Sequence, residues 1–286
     1  MWFVAFNSMS AMAQTNNESL TDSSHWQVGS TYQNDNVYLG RKDSSRLPYI
    51  IPSIGYYDKS GLFIDASLAY LAASGDNRID LITIEGGYNY VKNNFEGQVV
   101  AAKFLYNSNS TSVKSEVKGS LDAYVAYDFD FIKPSFEVSG NFGQKSDVNL
   151  TVGLEHSFYA LDSKLSIAPN ALMNAGSRNY YDTYSNNKSI GGFRRKKNTV
   201  INNYTITASV KDASALKLLD YELNLPVNYT FRKFTFNLTP SYAIPVNPAI
   251  TVVTIKNNTL NTQTSGESAE KLNNIFYFSI GVTYPF

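Results

Sequence analysis

A period-two alternation of apolar and polar residues recurs along almost the whole chain and constrains the fold more than any other feature of the sequence. In residues 117–127, Leu121 and Val125 share one face, whereas Ser120 and Asp122 share the other. Successive side chains of a β-strand point to opposite faces, so this pattern predicts strands whose two faces meet different environments. We predict twelve such strands, at residues 26–41, 47–57, 61–71, 79–91, 94–107, 117–127, 132–142, 148–158, 164–176, 218–229, 234–244 and 274–286. The fold class that follows is all-β.

The connections between the predicted strands alternate in length. The tight ones are residues 58–61, 92–94, 128–130, 161–163 and 232–233, and the longer ones are residues 72–78, 107–115, 144–147, 178–214 and 248–271. An antiparallel up-and-down barrel has short turns at one end and long loops at the other. One strand, 94–107, fits less well because Glu96 and Lys103 fall on opposite faces, and a bulge between them would reconcile it.

The width of a twelve-stranded barrel decides which face points outward. Side chains just fill the interior of a barrel of about eight strands, and the diameter grows with strand number. An apolar interior could not be packed at twelve strands, so we expect the apolar face to meet lipid. No run reaches the roughly 18 apolar residues typical of a membrane-spanning helix. We therefore predict a closed antiparallel up-and-down transmembrane β-barrel of twelve strands, with ten or fourteen strands and a soluble sandwich as the alternatives.

Charge, cysteine content and the N-terminal residues indicate which partners and which cellular compartment to expect. Lys and Arg number 24 and are balanced by 24 Asp and Glu, so nothing in the net charge favours nucleic acid as a partner. The absence of cysteine suits an oxidising compartment. An apolar run at residues 1–6 is followed by Ala11 and Ala13, which is the pattern of a signal-peptide cleavage site, although no basic residues precede the run.

The last eight residues read Ser279-Ile-Gly-Val-Thr-Tyr-Pro-Phe286. This segment resembles the C-terminal assembly signal of Gram-negative outer-membrane β-barrels. The resemblance implies that Gly281, Tyr284 and Phe286 are read by the barrel-assembly machinery and that the protein resides in the outer membrane. Pairing of the last strand with the first would remove the sheet edges that hydrocarbon does not tolerate. We expect a signal peptide at 1–13, with a start that is either truncated or wrongly assigned, a flexible periplasmic segment at 14–25 and the barrel at 26–286.

Histidine is scarce, because the chain contains only His25 and His156. Known hydrolases of this barrel class use a histidine on the barrel wall with matched polar partners. His156 shares its face with Leu154, which favours an interfacial side chain, and no such partners can be placed from the sequence. The acidic residues Asp76 and Asp80 favour a solvated loop over a calcium site, and no metal or phosphate motif is present. We predict neither an enzyme nor a bound cofactor or metal.

The inward faces of the predicted strands are rich in charge. The charged residues expected in the lumen are Asp65, Glu85, Glu116, Asp122, Glu137, Glu155, Asp220 and Glu222 together with Lys118, Lys133 and Lys164. Charges of both signs favour a paired network that keeps the lumen polar. The excess of carboxylates also fits a cation-preferring pore, since rings of Asp and Glu favour cations.

The longest loop, 178–214, is basic, with Arg178 followed by Arg194, Arg195, Lys196 and Lys197. Three roles are open for it: contact with phosphates of outer-leaflet lipid, insertion into the lumen against the carboxylates, or plain solvation. Within it, residues 199–211 could form a hairpin above the membrane.

Our leading functional hypothesis is a narrow channel for small solutes or ions whose polar lumen is occluded by a loop. The alternative is a closed structural or interaction barrel whose outer loops bind a lipoprotein, a glycan or a surface lipid such as lipopolysaccharide. A lipid hydrolase of the barrel wall is the third hypothesis. Lipid of the outer membrane is the expected surrounding in all three.

Overall fold

The fold was analysed in a computed structural model that describes residues 23–73, 75–189, 199–201 and 204–286. Twelve antiparallel strands form one barrel in this part of the chain, and β8, β9 and β10 are each interrupted once. The strands are β1 His25–Gln33, β2 Tyr49–Tyr57, β3 Leu62–Ala73, β4 Asp76–Lys92, β5 Phe95–Tyr106, β6 Val117–Tyr127, β7 Lys133–Gly143, β8 Asp147–Glu155 with Phe158–Ala160, β9 Leu165–Ile167 with Asn170–Gly176, β10 Lys217–Asn224 with Val227–Phe231, β11 Phe234–Pro245 and β12 Ile275–Pro285.

The barrel closes through its first and last strands. Strand β1 pairs with β12 from Gln27 opposite Pro285 to Gln33 opposite Ser279, and β12 pairs on its other side with β11. The backbone amides of Trp26 and Phe286 each donate to the carbonyl of the other residue. In the described residues the barrel sheet therefore has no open edge, and the predicted fold class and strand number are confirmed.

The two faces of the wall have the polarity that the width argument requires. On β3, Leu62 and Ile64 point outward and are 58% and 56% exposed, whereas Phe63 and Asp65 point inward and are buried. The same alternation of exposed apolar and covered side chains continues around the barrel. A soluble sandwich would bury these apolar residues between its sheets instead.

Three details of the predicted strands are wrong. The first strand ends at Gln33 instead of residue 41, and the chain after it turns back into the barrel. Strands β3 and β4 continue to Ala73 and Asp76, so their connection is tight although residues 72–78 were predicted as a longer loop. The register of β5 runs without a bulge; Glu96 faces inward, and Lys103 is exposed on the other face near the long-loop end.

The remaining elements lie at the long-loop end. They are a hairpin of Val37–Tyr38 and Arg41–Lys42, a 3-10 helix at Val113–Glu116, a helix α1 at Asn179–Ser189, and a four-stranded sheet of Thr199–Ile201, Tyr204–Val210, Ile250–Asn257 and Thr262–Ala269. The hairpin predicted within 199–211 is therefore present, and we call this sheet the outer sheet. Of the helices in the described ranges, none combines the length and apolar character required to cross a bilayer.

Candidate functional site

Three segments from the long-loop end fill the outer half of the barrel interior. They are residues 34–48, residues 107–116 and residues 177–184, and we refer to them together as the plug. Their apolar side chains form one buried cluster with inward-facing residues of the wall. That cluster comprises Tyr38, Leu39, Leu47, Val113, Tyr180 and Tyr184 of the plug and Tyr49, Ile51, Ala69, Leu71, Leu81, Phe104, Val117 and Leu219 of the wall or its strand ends. The outer half of the interior is thus a packed core.

The hairpin of the plug fits closely against strand β10. Gly40 has a positive φ of 69°, and a Cβ atom at this position would lie 2.7 Å from the Cβ of Asp220 and 3.0 Å from the Cβ of Pro245. Only glycine combines this backbone conformation with so close an approach. Leu39, which precedes it, also has a positive φ, of 49°.

Arg41 links this hairpin to the wall and to the outer sheet. Its side chain is almost fully buried and donates to the carbonyls of Leu39 and Asn247 at 3.0 and 3.3 Å. It also forms an ion pair of 3.2 Å with Glu270, which follows the last strand of the outer sheet. Burial acts to lower the pKa of Arg41, but Tyr180 and Glu270 outweigh it and the net direction is upward. Arg41 therefore remains charged.

The start of helix α1 is held by Asp147 at the outer end of β8. The Asp147 carboxylate accepts hydrogen bonds from the backbone amides of Asn179 and Tyr180 at 2.7 and 2.8 Å. A carboxylate at a helix N-terminus satisfies free amides and interacts favourably with the helix dipole. Further along the helix, Tyr184 donates to Asp43 at 3.0 Å, which joins the helix to the hairpin segment.

The basic residues predicted for the longest loop divide into two groups. Arg178 lies in the plug, is almost fully buried and donates to the carbonyl of Asn247 at 2.7 Å. Burial, followed by the nearby Arg41, lowers the pKa of Arg178. The other four, Arg194, Arg195, Lys196 and Lys197, lie outside the described residues. The first residues of this loop pack with the other two segments of the plug, and Arg178 contacts a backbone carbonyl instead of the lumen carboxylates.

Four of the predicted lumen carboxylates lie together on the wall below the plug. Asp65 and Glu85 are direct cross-strand neighbours on β3 and β4. Asp122 on β6 accepts hydrogen bonds from Ser120 and Ser139, and Ser139 also contacts Glu137 on β7. A lysine that sequence reasoning did not select, Lys114 of the 3-10 helix, reaches down toward these groups. We call Asp65, Glu85, Asp122 and Glu137 the acidic patch.

The other predicted lumen charges form separate groups. At the short-turn end, Lys133 pairs with Glu155 at 2.8 Å and with Glu96 at 3.6 Å, which is a network of the predicted kind. On β10, Asp220 and Glu222 lie near each other, and Glu222 accepts a hydrogen bond from Tyr277 at 3.3 Å.

Three predicted lumen residues lie elsewhere. Lys118 is exposed at the outer end of β6 and donates to the carbonyl of Ser115, because the pairing register shifts between Val117 and Gly119 and removes Lys118 from the inward row. Lys164 is exposed in a short turn, and Glu116 belongs to the 3-10 helix. The prediction of Lys118 as a lumen residue is therefore wrong.

The opposite wall of the lower lumen is neutral and polar. Its buried side chains come from β9 to β12 and include Ser166, Asn228, Asn237, Thr239, Ser241 and Ser279. Two of their polar atoms, Asn237 Oδ1 and Ser279 Oγ, have no hydrogen-bond partner within the described part of the chain. A narrow lumen lined by hydroxyl and amide groups suits water or a small polar solute, which would satisfy these groups.

Neither histidine belongs to the acidic patch or to the neutral polar wall. His25 begins β1, and its ring stacks on Tyr57 with centroids 5.6 Å apart. His156 packs edge-on against Phe158 at 4.3 Å and borders a groove of about 540 Å³ that is lined by residues of β8 to β12 and of the turn before β7. That groove is lined mainly by apolar residues such as Leu154 and Leu223. Within the described residues, no group of three or more His, Asp or Glu side chains could hold a metal ion.

The residues of the predicted assembly signal lie on β12. Gly281 is covered on its inward side, where a Cβ atom would lie 2.5 Å from Asn237 Oδ1. The ring of Tyr284 lies 4.9 Å from that of Phe234 and 6.5 Å from that of Phe286. These aromatic residues stand at the short-turn end, where strands β11, β12 and β1 meet.

Comparison with known proteins adds neighbours of similar fold. No protein-family model matches the chain, and no curated protein sequence matches it. A solved KdgM porin is 9% identical, with 91% of this chain and 99% of that chain covered and a TM-score of 0.45. LpxR from Salmonella typhimurium is 10% identical, with 91% and 100% covered and a TM-score of 0.42. The closed sheet itself defines the class, a twelve-stranded antiparallel β-barrel similar to outer-membrane barrels.

Proposed function

We propose that this protein is an outer-membrane channel, a narrow pore for small solutes or ions that its own plug holds closed. Two features support a position in the bilayer. Large apolar side chains are exposed around the outside of the barrel, and aromatic side chains gather at the short-turn end. The aromatic residues include Trp26, Tyr88, Phe95, Tyr127, Phe231, Phe234 and Phe286. A lipid-facing apolar band bordered by aromatic girdles is characteristic of membrane barrels.

The observation that carries the channel proposal is the contrast between the two halves of the interior. The lower lumen is lined mainly by polar and acidic side chains, apart from one small apolar cluster of Tyr57, Phe63 and Val100, whereas the outer half contains a packed core built with segments that belong to loops. The chain has no cysteine, so no disulfide ties the plug to the wall, and the plug is held by apolar packing and by polar contacts such as Arg41 with Glu270. Loop segments held in this way can leave the lumen without unfolding the barrel.

The excess of carboxylates favours cations as the conducted species. The described lumen contains the acidic patch, Asp220, Glu222 and the Lys133 network, in which two carboxylates face one lysine. Carboxylates that line a narrow pore attract cations and repel anions. We propose a cation-preferring pore, without assigning a particular solute.

Single-channel recording in planar bilayers under a salt gradient tests this proposal. We expect brief openings of the wild type with a reversal potential displaced toward the cation, and longer openings of Arg41→Gln, which removes the ion pair to Glu270. Lys118→Gln, which removes an exposed lysine outside the acidic patch, is the matched control and should behave as wild type. Anion-preferring openings, or silence of both wild type and Arg41→Gln in folded form, would contradict the proposal.

A second function is favoured by the outer sheet. Its last strand, Thr262–Ala269, is exposed along all eight residues and has a free edge among the described strands. An exposed edge is a template for addition of a strand from another chain. A closed barrel that binds a lipoprotein, or a glycan or lipopolysaccharide, through this sheet is the alternative that a silent channel would favour. We assign no catalytic role to His156 or to any other residue.

A further inference from the structure

We propose that the lumen contains a binding site for a primary ammonium group, and that the side chain of Lys114 occupies this site when the plug is seated. The site consists of the aromatic rings of Tyr38 and Phe104 and of the acidic patch. The inference rests on the proposed channel and deepens it, because it names the class of solute that the lumen would recognise: small organic ammonium cations.

The two aromatic rings flank the ammonium group directly. The Lys114 Nζ atom lies 4.3 Å from the centroid of the Phe104 ring and 5.1 Å from that of the Tyr38 ring. A cation within about 6 Å of a ring face is attracted by the negative charge of the π-system, and more strongly where water is excluded. Lys114 is 4% exposed, so the contact is well shielded from solvent. Phe104 belongs to the fixed wall, and Tyr38 belongs to the hairpin of the plug.

The acidic patch supplies the charge that an ammonium group requires. Asp122, Glu85 and Glu137 all act electrostatically on Lys114 and favour its charged form. Burial acts in the opposite direction and lowers the pKa of Lys114 to about 8, so the side chain is still an ammonium at neutral pH.

The acidic patch offers four carboxyl groups to a single lysine side chain. Asp65, beside Glu85, is only 5% exposed, yet its Oδ1 atom has no hydrogen-bond partner among the residues that the structure describes. A buried carboxylate oxygen without a partner is costly, and a bound cation or its donated hydrogen bonds would remove that cost. The patch is therefore suited to a cation with several N–H donors, as a primary ammonium provides.

The occupant is attached to a segment that can leave. Lys114 extends from the 3-10 helix Val113–Glu116, whose start is held by the Ser112 hydroxyl group. Ser112 in turn accepts a hydrogen bond from Asn36 of the hairpin segment at 3.0 Å. The 3-10 helix and the hairpin therefore contact each other at the site, and withdrawal of the two segments would leave Phe104 and the carboxylates facing an open lumen.

Calorimetric titration with n-butylammonium chloride tests the site, because this ion copies the end of a lysine side chain. The measurement uses the full, folded protein in detergent, with sodium chloride at equal ionic strength as the reference. We expect Lys114→Met to bind n-butylammonium at least tenfold more tightly than wild type, since the tethered ammonium no longer competes. Adding Glu85→Gln to Lys114→Met should remove most of that gain.

Lys118→Met is the matched control, because it removes a lysine that lies outside the acidic patch, and it should bind as wild type does. Equal binding by wild type, Lys114→Met and Lys118→Met would overturn the site. If Lys114→Met does not fold, Lys114→Gln replaces it with the same expected gain. Binding of n-butylammonium without conductance would support the site and refute the channel. Conductance without such binding would support the channel and refute the site.

Discussion

At the scale of single residues, the plug depends on a few side chains that sequence patterns do not distinguish. Arg41 and Lys114 were not predicted as site residues, although Arg41 links the plug to the wall and Lys114 occupies the proposed ammonium site. A signal for Arg41 was present, because three consecutive charges, Arg41, Lys42 and Asp43, begin at the last residue of the predicted strand 26–41. Charged side chains on the lipid face cost about 2–4 kcal/mol at the bilayer midplane for Arg or Lys, so such a run argues against a membrane strand.

Gly40 provides a prediction at this scale. Gly40→Val should prevent the hairpin from seating, because the new Cβ would meet Asp220 at a positive φ. We expect a cost on the order of 1–3 kcal/mol to the seated plug, with the barrel still folded. Limited trypsin cleavage after Arg41 should become faster.

The matched control for this change is Gly266→Val in the outer sheet, where a Cβ atom would have no neighbour within 4 Å. Cleavage of Gly266→Val should proceed at the wild-type rate. Equal cleavage rates for Gly40→Val and wild type would show that the close approach to Asp220 does not hold the hairpin.

At the scale of elements, the strands could be predicted from the sequence and the plug could not. Alternation is a local property of the chain, and it located all twelve barrel strands to within a few residues, apart from the end of the first. The plug depends on contacts between segments distant in sequence, such as Asn36 with Ser112. The sequence contains one signal of the plug. Strands β2 and β4 carry apolar residues on both faces at Ile50 and Ile51 and at Leu81 and Ile82, which indicates a packed interior at that height.

Helix α1 provides the prediction for an element. Asp147→Asn should weaken the start of the helix by about 1 kcal/mol, because an amide is neutral and has only one acceptor atom for the two backbone amides. Hydrogen exchange of Asn179 and Tyr180 should become faster, while amides within β8 stay protected. Asp162→Asn, in an exposed turn, is the control. Unchanged exchange at these two amides would mean that other contacts hold the helix.

At the scale of the whole molecule, the width of the barrel determines the polarity of its outer face and the way its interior is filled. The argument that twelve strands cannot pack an apolar lumen correctly predicts that the outward face is apolar. It fails for the outer half of the interior, because loop segments supply the missing volume and form an apolar core there. The charged lower lumen was predictable from inward positions on regular strands. The local register shift that displaces Lys118 was not, since it leaves the alternation almost unchanged.

The measurement that tests the central claim most directly is the conductance of a barrel in which residues 36–46 are replaced by a short glycine-serine linker. Folding is verified first by heat-dependent migration on gels, and the bilayer recordings are then compared with wild type. If the plug closes a conducting path, the shortened protein should give steady, cation-preferring currents that the wild type shows only briefly. A folded barrel that remains silent without this segment would contradict the account.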